Sequence, residues 1–90
     1  MAVYIDNYRA PFSRMVMCHM MADSTEELCA MADRIGVQRK WIQSAGTWRE
    51  HFDVCLAKRK LAVAAGAIEM DARQLVKWAR ERQQTAGDRA

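Results

Sequence analysis

Short apolar runs alternate with amphipathic segments along the chain. Residues 2–5, AVYI, are rich in β-forming residues and end at Asp6, which predicts a first strand. Residues 6–14 contain Pro11 and predict a loop. The apolar run Met15–Ala22 suits a strand or a buried helix, because so short a run has no decisive period. Its length favours a strand.

A helix start follows this run at STEE, residues 24–27. The Ser24 side chain can accept a hydrogen bond from the amide of Glu27 while the Glu27 side chain reaches back, which forms a capping box. Apolar residues then recur at helical spacing, and Gly36 suits the left-handed residue that ends a helix. The expected buried positions are Leu28, Met31, Ala32 and Ile35.

The second half of the chain continues the alternation. Gly66 predicts the end of one helix, and DARQ, residues 71–74, is a second capping signature. The predicted elements are a strand at residues 37–43, a loop at 44–50, a helix at 55–65, a strand at 67–70 and a helix from about residue 72. The apolar stripe expected on the middle helix comprises Ala57, Leu61, Ala64 and Ala65.

Two successive units have the order helix, glycine, apolar strand, which is typical of strands joined by helical crossovers. We therefore expect a small single-layer α/β fold with a mostly parallel sheet and three helices, in the order β-β-α-β-α-β-α. Residues 1–82 would form one domain, and residues 83–90 a polar C-terminal tail that frays.

Residues 27–43 also resemble a helix-turn-helix. A small residue lies four positions before Gly36, as in the turn of that motif, and Arg39 and Lys40 would then face a DNA groove. The same turn also closes helices in α/β proteins, and Trp41 beside another apolar residue favours a strand. The helix-turn-helix alternative predicts an almost entirely helical protein.

The composition is that of a folded protein, with 51% hydrophobic and 28% charged residues, and this excludes a disordered chain. The net charge of +3 permits an anionic partner such as nucleic acid, although many ordinary domains carry as much. Basic residues cluster in two stretches, which are either anion-binding positions or solvated faces. They are Arg39, Lys40, Lys58, Arg59 and Lys60.

The odd number of cysteines, Cys18, Cys29 and Cys55, prevents complete internal pairing. Together with the lack of a signal-peptide pattern, this predicts a reducing cytoplasm. No apolar run approaches the roughly 20 residues that span a bilayer, so we expect no membrane segment. The small size is compatible with a homodimer.

Both histidines lie close to an aspartate. His19 and Asp23 are four residues apart, and strand and helix geometry both place them on one side. His51 and Asp53 share one side of an extended segment, and Asp6 ends the first strand. Histidine with a carboxylate serves as a metal-ligand set or as an oriented base. We expect these five residues to converge on one polar pocket.

A purely structural interpretation of these residues stays open. Asp23 and Asp53 could cap helices, and His19 could be a hydrogen-bonded core histidine. Neither His/Asp spacing matches a metalloenzyme string such as HExxH, and the chain has no Cys-x-x-Cys pair, so zinc has little support from spacing. A Cys18 nucleophile paired with His19 is disfavoured, because neighbours on a strand face opposite sides.

The stretches AVYID, CHMMAD, EELCAMADRIGV, HFDV and AAGAIE together resemble a family of bacterial and bacteriophage proteins catalogued as domain of unknown function 4031. The resemblance extends from Ala2 to about Lys77. The family has no assigned activity. The resemblance implies a shared pattern at the positions Asp6, His19, Asp23, Glu27, Leu28, His51 and Asp53.

The chain departs from the family pattern at two positions. Cys29 stands where the family usually has histidine, and cysteine can replace histidine as a zinc ligand. Phe52 stands where tyrosine is usual, so a mechanism that requires this hydroxyl is excluded here.

The leading expectation is a bacterial or phage protein whose pocket binds a phosphate-bearing molecule or nucleic acid. A bound divalent metal (zinc, manganese or magnesium) would direct attention to phosphoester hydrolysis. The alternative from another class is a non-enzymatic phage accessory protein that binds a host protein or nucleic acid. The candidate metal ligands are His19, Asp23, Cys29, His51 and Asp53.

Overall fold

The computed structural model describes residues 2–12 and 14–87. The strands are β1 (Val3–Ile5), β2 (Ala10–Phe12), β3 (Met15–Ala22), β4 (Phe52–Cys55) and β5 (Ile68–Glu69). The helices are α1 (Thr25–Ile35), α2 (Leu56–Ala64) and α3 (Ala72–Gly87), and a 3₁₀ turn spans Arg39–Trp41.

The eight-residue strand β3 organises the sheet. β1 pairs antiparallel with residues 20–22 of β3, and β2 pairs antiparallel with residues 15–17. β4 pairs antiparallel with residues 17–20. Residues 17 and 20 thus have partners in β4 as well as in β2 or β1, so β4 occupies the opposite edge of β3. β5 extends the sheet by pairing parallel with β1.

The chain is therefore α/β with three helices, but the prediction of a mostly parallel sheet is wrong. The sheet is mixed, because β3 pairs antiparallel with each of its neighbours. Residues 6–14 are too few for a parallel crossover, which needs about a dozen or more, so the chain reverses. This segment also forms β2, where Pro11 is tolerated because β2 pairs with β3 alone within the described residues.

The predicted strand at residues 37–43 is absent, and the element order differs accordingly. Val37 and Ile42 both pack against the core, although an odd separation would place them on opposite faces of a strand. The 3₁₀ turn lets both side chains reach the core, and it leaves Trp41 63% exposed. Gln43 forms an isolated antiparallel bridge to His51.

Helices cover both faces of the sheet. The main core lies between the sheet and helices α1 and α2, and it includes Ile5, Cys18, Met20, Leu28 and Phe52. A smaller cluster on the opposite face packs Met21 of β3 against Leu75 and Ala79 of α3. Because side chains alternate along each strand, residues next to core residues face α3.

Both predicted capping signatures are confirmed. The Ser24 hydroxyl accepts a hydrogen bond from the Glu27 amide at 3.1 Å, and Gly36 ends α1 with φ of 80°. At α3, the Asp71 carboxylate accepts from the Gln74 amide at 2.8 Å, and the Gln74 side chain accepts from the Asp71 amide at 2.9 Å. At α1 the Glu27 carboxylate accepts from the Ser24 hydroxyl at 3.0 Å, whereas at α3 the two amide bonds are reciprocal. In both helices a side chain satisfies an amide that lacks a partner within the helix.

The apolar stripe predicted on α2 is wrong. Leu61 is 51% exposed, whereas its neighbour Ala62 is fully buried. α2 begins at the residue directly after β4, so the exit of the strand sets the rotation of the helix. The core consequently receives a small side chain from α2.

The helix-turn-helix alternative is also wrong, because α1 is followed by a three-residue 3₁₀ turn rather than a recognition helix. The predicted tail starts at residue 83, within α3, and residues 88–90 lie outside the described part of the chain. The division at residue 82 stays a prediction. Among the described residues, no helix has the length and apolar character needed to cross a bilayer.

Candidate functional site

Three titratable residues form a row across the face of the sheet that α3 covers. His19 of β3 is paired with Asp53 of β4, and the amide of Asp6 donates to the His19 carbonyl at 3.0 Å. Asp6 follows the core residue Ile5, and His19 lies between core residues, so strand alternation turns both away from the main core. The sheet register thus brings Asp6, His19 and Asp53 together.

Asp6 is buried, with 2% of its surface exposed, and holds His19 in place. Asp6 Oδ2 lies 2.8 Å from His19 Nδ1, while Asp6 Oδ1 accepts from the amides of His19 at 2.8 Å and Tyr8 at 3.2 Å. The hydrogen bond to Asp6 raises the pKa of His19 above its usual 6.5; burial opposes this, and the charges of Asp6 and Asp53 add to it. Because a carboxylate only accepts, His19 Nδ1 carries a hydrogen.

His51 is oriented in the same manner by a backbone carbonyl. His51 Nδ1 lies 2.6 Å from the carbonyl oxygen of Arg49, so this nitrogen also carries a hydrogen. In the neutral form of each ring, the other nitrogen, Nε2, is then an acceptor with a free lone pair. The rings of His19 and His51 are close neighbours, with centroids 5.5 Å apart.

The two Nε2 atoms face one carboxylate oxygen. Asp53 Oδ1 lies 3.4 Å from His51 Nε2 and 3.8 Å from His19 Nε2. This oxygen is buried and has no hydrogen-bond partner among the described residues, whereas Asp53 Oδ2 accepts from the Gln43 side chain at 2.7 Å. Three acceptors therefore converge without a donor, an arrangement that requires a proton or a cation.

The spacing of these atoms fits a metal ion. One ligand atom from each of His19, His51 and Asp53 lies within 4.8 Å of the other two. Ligands about 2.1 Å from a tetrahedral zinc ion would be about 3.4 Å apart, so only small side-chain movements separate this group from a coordination shell. Two imidazoles and one carboxylate, with a position left for water, form the donor set of catalytic zinc sites.

The cluster opens into a cleft of about 320 Å³ between the sheet and α3. Arg49 and Arg80 bring positive charge to its walls, and Trp48 and Leu75 contribute apolar surface. Arg49 also stacks on the Trp48 ring, with its guanidinium carbon 4.8 Å from the ring centroid. The cleft thus places the cluster of two histidines and an aspartate beside two positively charged side chains.

Some residues expected at the site lie elsewhere. Asp23 accepts hydrogen bonds from the amide of Ala2 at 2.7 Å and from the Tyr4 hydroxyl at 2.9 Å. Cys29 is buried on α1 and is not part of the three-residue group. Phe52 fills the main core, facing away from the cleft, as does Cys18, whose pKa is raised by burial.

The predicted anion-binding residues are largely engaged in other contacts. Arg39 forms a bidentate ion pair with Asp33, and Lys40 lies over the Trp41 ring. Arg59 donates to the Asp6 carbonyl at 2.8 Å and to Glu69 at 3.0 Å. Lys58 lies beside Gly36, and Lys60 is exposed on α2.

Sequence reasoning did not find four of the residues around the cluster. Gln43, Trp48 and Arg49 lie in segments without a local motif. Gln43 reaches the cluster through its bridge to His51, and Trp48 and Arg49 line the cleft. Arg80 could have been found from the sequence, because basic residues recur on α3 at helical spacing.

The fold and the cluster together define a small α/β protein with a His/Asp cleft between a mixed sheet and one helix. The chain belongs to the family described as "Protein of unknown function (DUF4031)", whose model matches residues 3–82. Neither a curated protein nor a solved structure matches the chain.

Proposed function

We propose that the protein binds a divalent metal ion through His19, His51 and Asp53 and uses it to hydrolyse a phosphoester. The observation that carries this proposal is the convergence of two bare imidazole nitrogens on the unpartnered oxygen of Asp53. Nitrogen-rich ligand sets favour zinc, with manganese next, over magnesium, which prefers oxygen ligands and water.

Asp6 supports the metal role of His19. A ligating histidine almost always donates its second ring nitrogen to a carboxylate or carbonyl, which fixes its orientation. Asp6 supplies that acceptor to His19, and the carbonyl of Arg49 supplies it to His51. The cluster thus has both the ligands and the groups that orient them.

The charges in the cleft favour a phosphate group as the reacting centre. His19, His51 and Asp53 would hold the metal, and the metal would supply an activated water for attack on phosphorus. Arg49 and Arg80 are the cleft residues suited to pair with the phosphate oxygens.

Isothermal titration of chelator-treated protein with zinc and manganese tests metal binding. We expect one ion per chain at micromolar affinity or better, and loss of binding in His51→Ala and Asp53→Ala. Asp6→Asn should weaken binding about 10–100-fold, as is usual for the carboxylate behind a ligating histidine. The matched control is Asp23→Asn, an aspartate outside the cluster, which should bind as the wild type does.

Hydrolysis of bis(4-nitrophenyl) phosphate by the metal-loaded protein tests the reaction. We expect turnover that requires metal and disappears in Asp53→Ala, provided circular dichroism shows the variant folded. A wild-type protein that binds neither zinc nor manganese would contradict the proposal. Metal binding without phosphoesterase activity would leave a metal site and reject the reaction.

The remaining alternative is the non-enzymatic accessory protein that binds through its surface. Arg59, one of the clustered basic residues that such a surface would use, donates hydrogen bonds to the Asp6 carbonyl and to Glu69. The accessory-protein alternative therefore gains no specific support from the described contacts. We propose a cytoplasmic location, which the free thiols of Cys18, Cys29 and Cys55 support because they suit a reducing compartment.

A further inference from the structure

A second concavity lies next to the His/Asp cleft. This groove, of about 510 Å³, runs between α3 and the segment that joins β1 to β2. Val76 and Arg80 line both the groove and the cleft, so the two concavities adjoin along α3. We call this second concavity the α3 groove, and its walls are formed by Tyr8, Ala72, Arg73, Val76, Lys77, Arg80 and Glu81.

Three basic residues form a line along the α3 groove. Arg73, Lys77 and Arg80 are spaced by four and three residues, which places them on one face of the helix. All three are exposed, and none forms an ion pair with any residue that the structure describes. They contrast with Arg39 and Arg59, whose charges are paired with carboxylates.

An aromatic ring stands opposite this basic line. Tyr8 is 48% exposed, and its ring meets His19 edge-on with centroids 5.4 Å apart. An exposed aromatic face beside a row of cations is the arrangement that holds single-stranded nucleic acid, because a base stacks on the ring while phosphates meet the cations. A base within a duplex is already stacked and cannot reach such a ring.

We propose that the α3 groove binds a single strand of nucleic acid and leads it into the His/Asp cleft. Arg73, Lys77 and Arg80 contact successive phosphates, Tyr8 stacks on a base, and the phosphodiester next to Arg80 reaches His19. This inference rests on the proposed function for the identity of the reaction, and it adds the substrate class. Binding along the groove itself requires no metal.

Fluorescence anisotropy of a labelled single-stranded oligonucleotide, measured with chelator present, tests the groove. We expect the double variant Arg73→Ala, Lys77→Ala to bind about tenfold more weakly and to lower the slope of log K against log salt by about 1.4, since each phosphate contact on a single strand contributes about 0.7. Tyr8→Ala should weaken binding by roughly fivefold or more through lost stacking.

The matched control is Lys40→Ala, Lys60→Ala, which removes the same charge from residues outside both concavities. It should bind almost as the wild type does. Equal weakening by the control would overturn the inference, because it would reduce the effect to net charge. So would an unchanged affinity of the groove variant, or duplex binding as tight as single-strand binding.

Zinc titration of the groove variant separates this inference from the proposed function. The variant should bind zinc as the wild type does, because Arg73 and Lys77 lie outside the metal cluster. If the wild type binds the oligonucleotide through the groove but binds no metal, the proposed function fails and the groove stands. If it binds metal but no oligonucleotide, the groove assignment fails alone.

Discussion

At the scale of single residues, the cluster of His19, His51 and Asp53 brings three acceptor atoms together with no positive group from the described residues between them. Two histidines with oriented rings and the Asp53 oxygen all present lone pairs to one point. A proton on His19 or a metal ion can supply the missing charge. Protons and metal therefore compete, and metal affinity should fall as the pH decreases.

Asp6→Asn should lower the pKa of His19, because the hydrogen bond to the Asp6 carboxylate is the main cause of its elevation. NMR titration of the chelator-treated protein measures this directly. Asp23→Asn is the control, since Asp23 contacts Tyr4 and Ala2 instead. A His19 pKa that stays unchanged in Asp6→Asn would show that another group sets it.

The elevated pKa of His19 also makes the metal-free protein more stable in mild acid. The folded state holds this proton more tightly than the unfolded chain, so the contribution is complete below the unfolded pKa, near 6.5, and is lost as the pH rises through the folded pKa. Urea denaturation at several pH values should show this decline, and Asp6→Asn should flatten it.

Asp53→Asn should stabilise the metal-free protein while abolishing zinc binding. At pH 8 an asparagine amide can donate to a bare Nε2, where Asp53 Oδ1 has no donor among the described residues. The expected gain in unfolding free energy is about 1 kcal/mol. Urea denaturation and zinc titration measure the two effects, and a destabilised variant would argue against unsatisfied acceptors at this point.

At the scale of elements, the site depends on how the loop of residues 44–50 is attached. Glu50 is 2% exposed and accepts hydrogen bonds from the Thr25 hydroxyl, at 2.7 Å to Oε1, and from the Gly46 amide at 2.8 Å. It thus ties the loop to the start of α1, where the helix dipole favours negative charge. His51 follows Glu50 directly, so this anchor positions a cluster residue.

Glu50→Ala should destabilise the fold by about 1–3 kcal/mol, because it leaves buried donors unpaired. It should also weaken zinc binding, since His51 loses its support. Glu26→Ala, an exposed acidic residue in the first turn of α1, is the matched control and should affect neither measurement strongly. If Glu50→Ala bound zinc with normal affinity, Glu50 would not be needed to position His51.

At the scale of the whole molecule, the cluster of His19, His51 and Asp53 joins β3 to the region of β4 across the sheet. A metal that binds only the folded state stabilises the entire domain by mass action. At zinc concentrations about 100 times the Kd, the gain is about 2.7 kcal/mol. For a domain of this size, that corresponds to a rise of roughly 10–20 °C in Tm.

Thermal melts with and without zinc measure this shift. It should be absent in His51→Ala and preserved in Cys29→Ala, because Cys29 lies outside the cluster. A shift that depends on Cys29 instead would assign the metal role to Cys29, as the resemblance described above implies.

The sequence by itself determined the features that depend on short-range chemistry. Both capping boxes, the buried face of α1 and its Gly36 end follow from hydrogen bonds and periodicity within a few residues. Local patterns likewise predicted the α/β class with three helices. They also identified His19, His51 and Asp53 as candidate site residues.

Only the tertiary structure decided the sheet direction, the rotation of α2 and the membership of the cluster. Strand direction depends on partners far apart in the chain, and strand alternation near His19 could not show which face α3 covers. The register of β3 with β1 and β4 brings Asp6, His19 and Asp53 together, while Asp23 is bonded to Tyr4. A one-residue change in that register would turn each side chain to the other face, which is why long-range pairing determines the site.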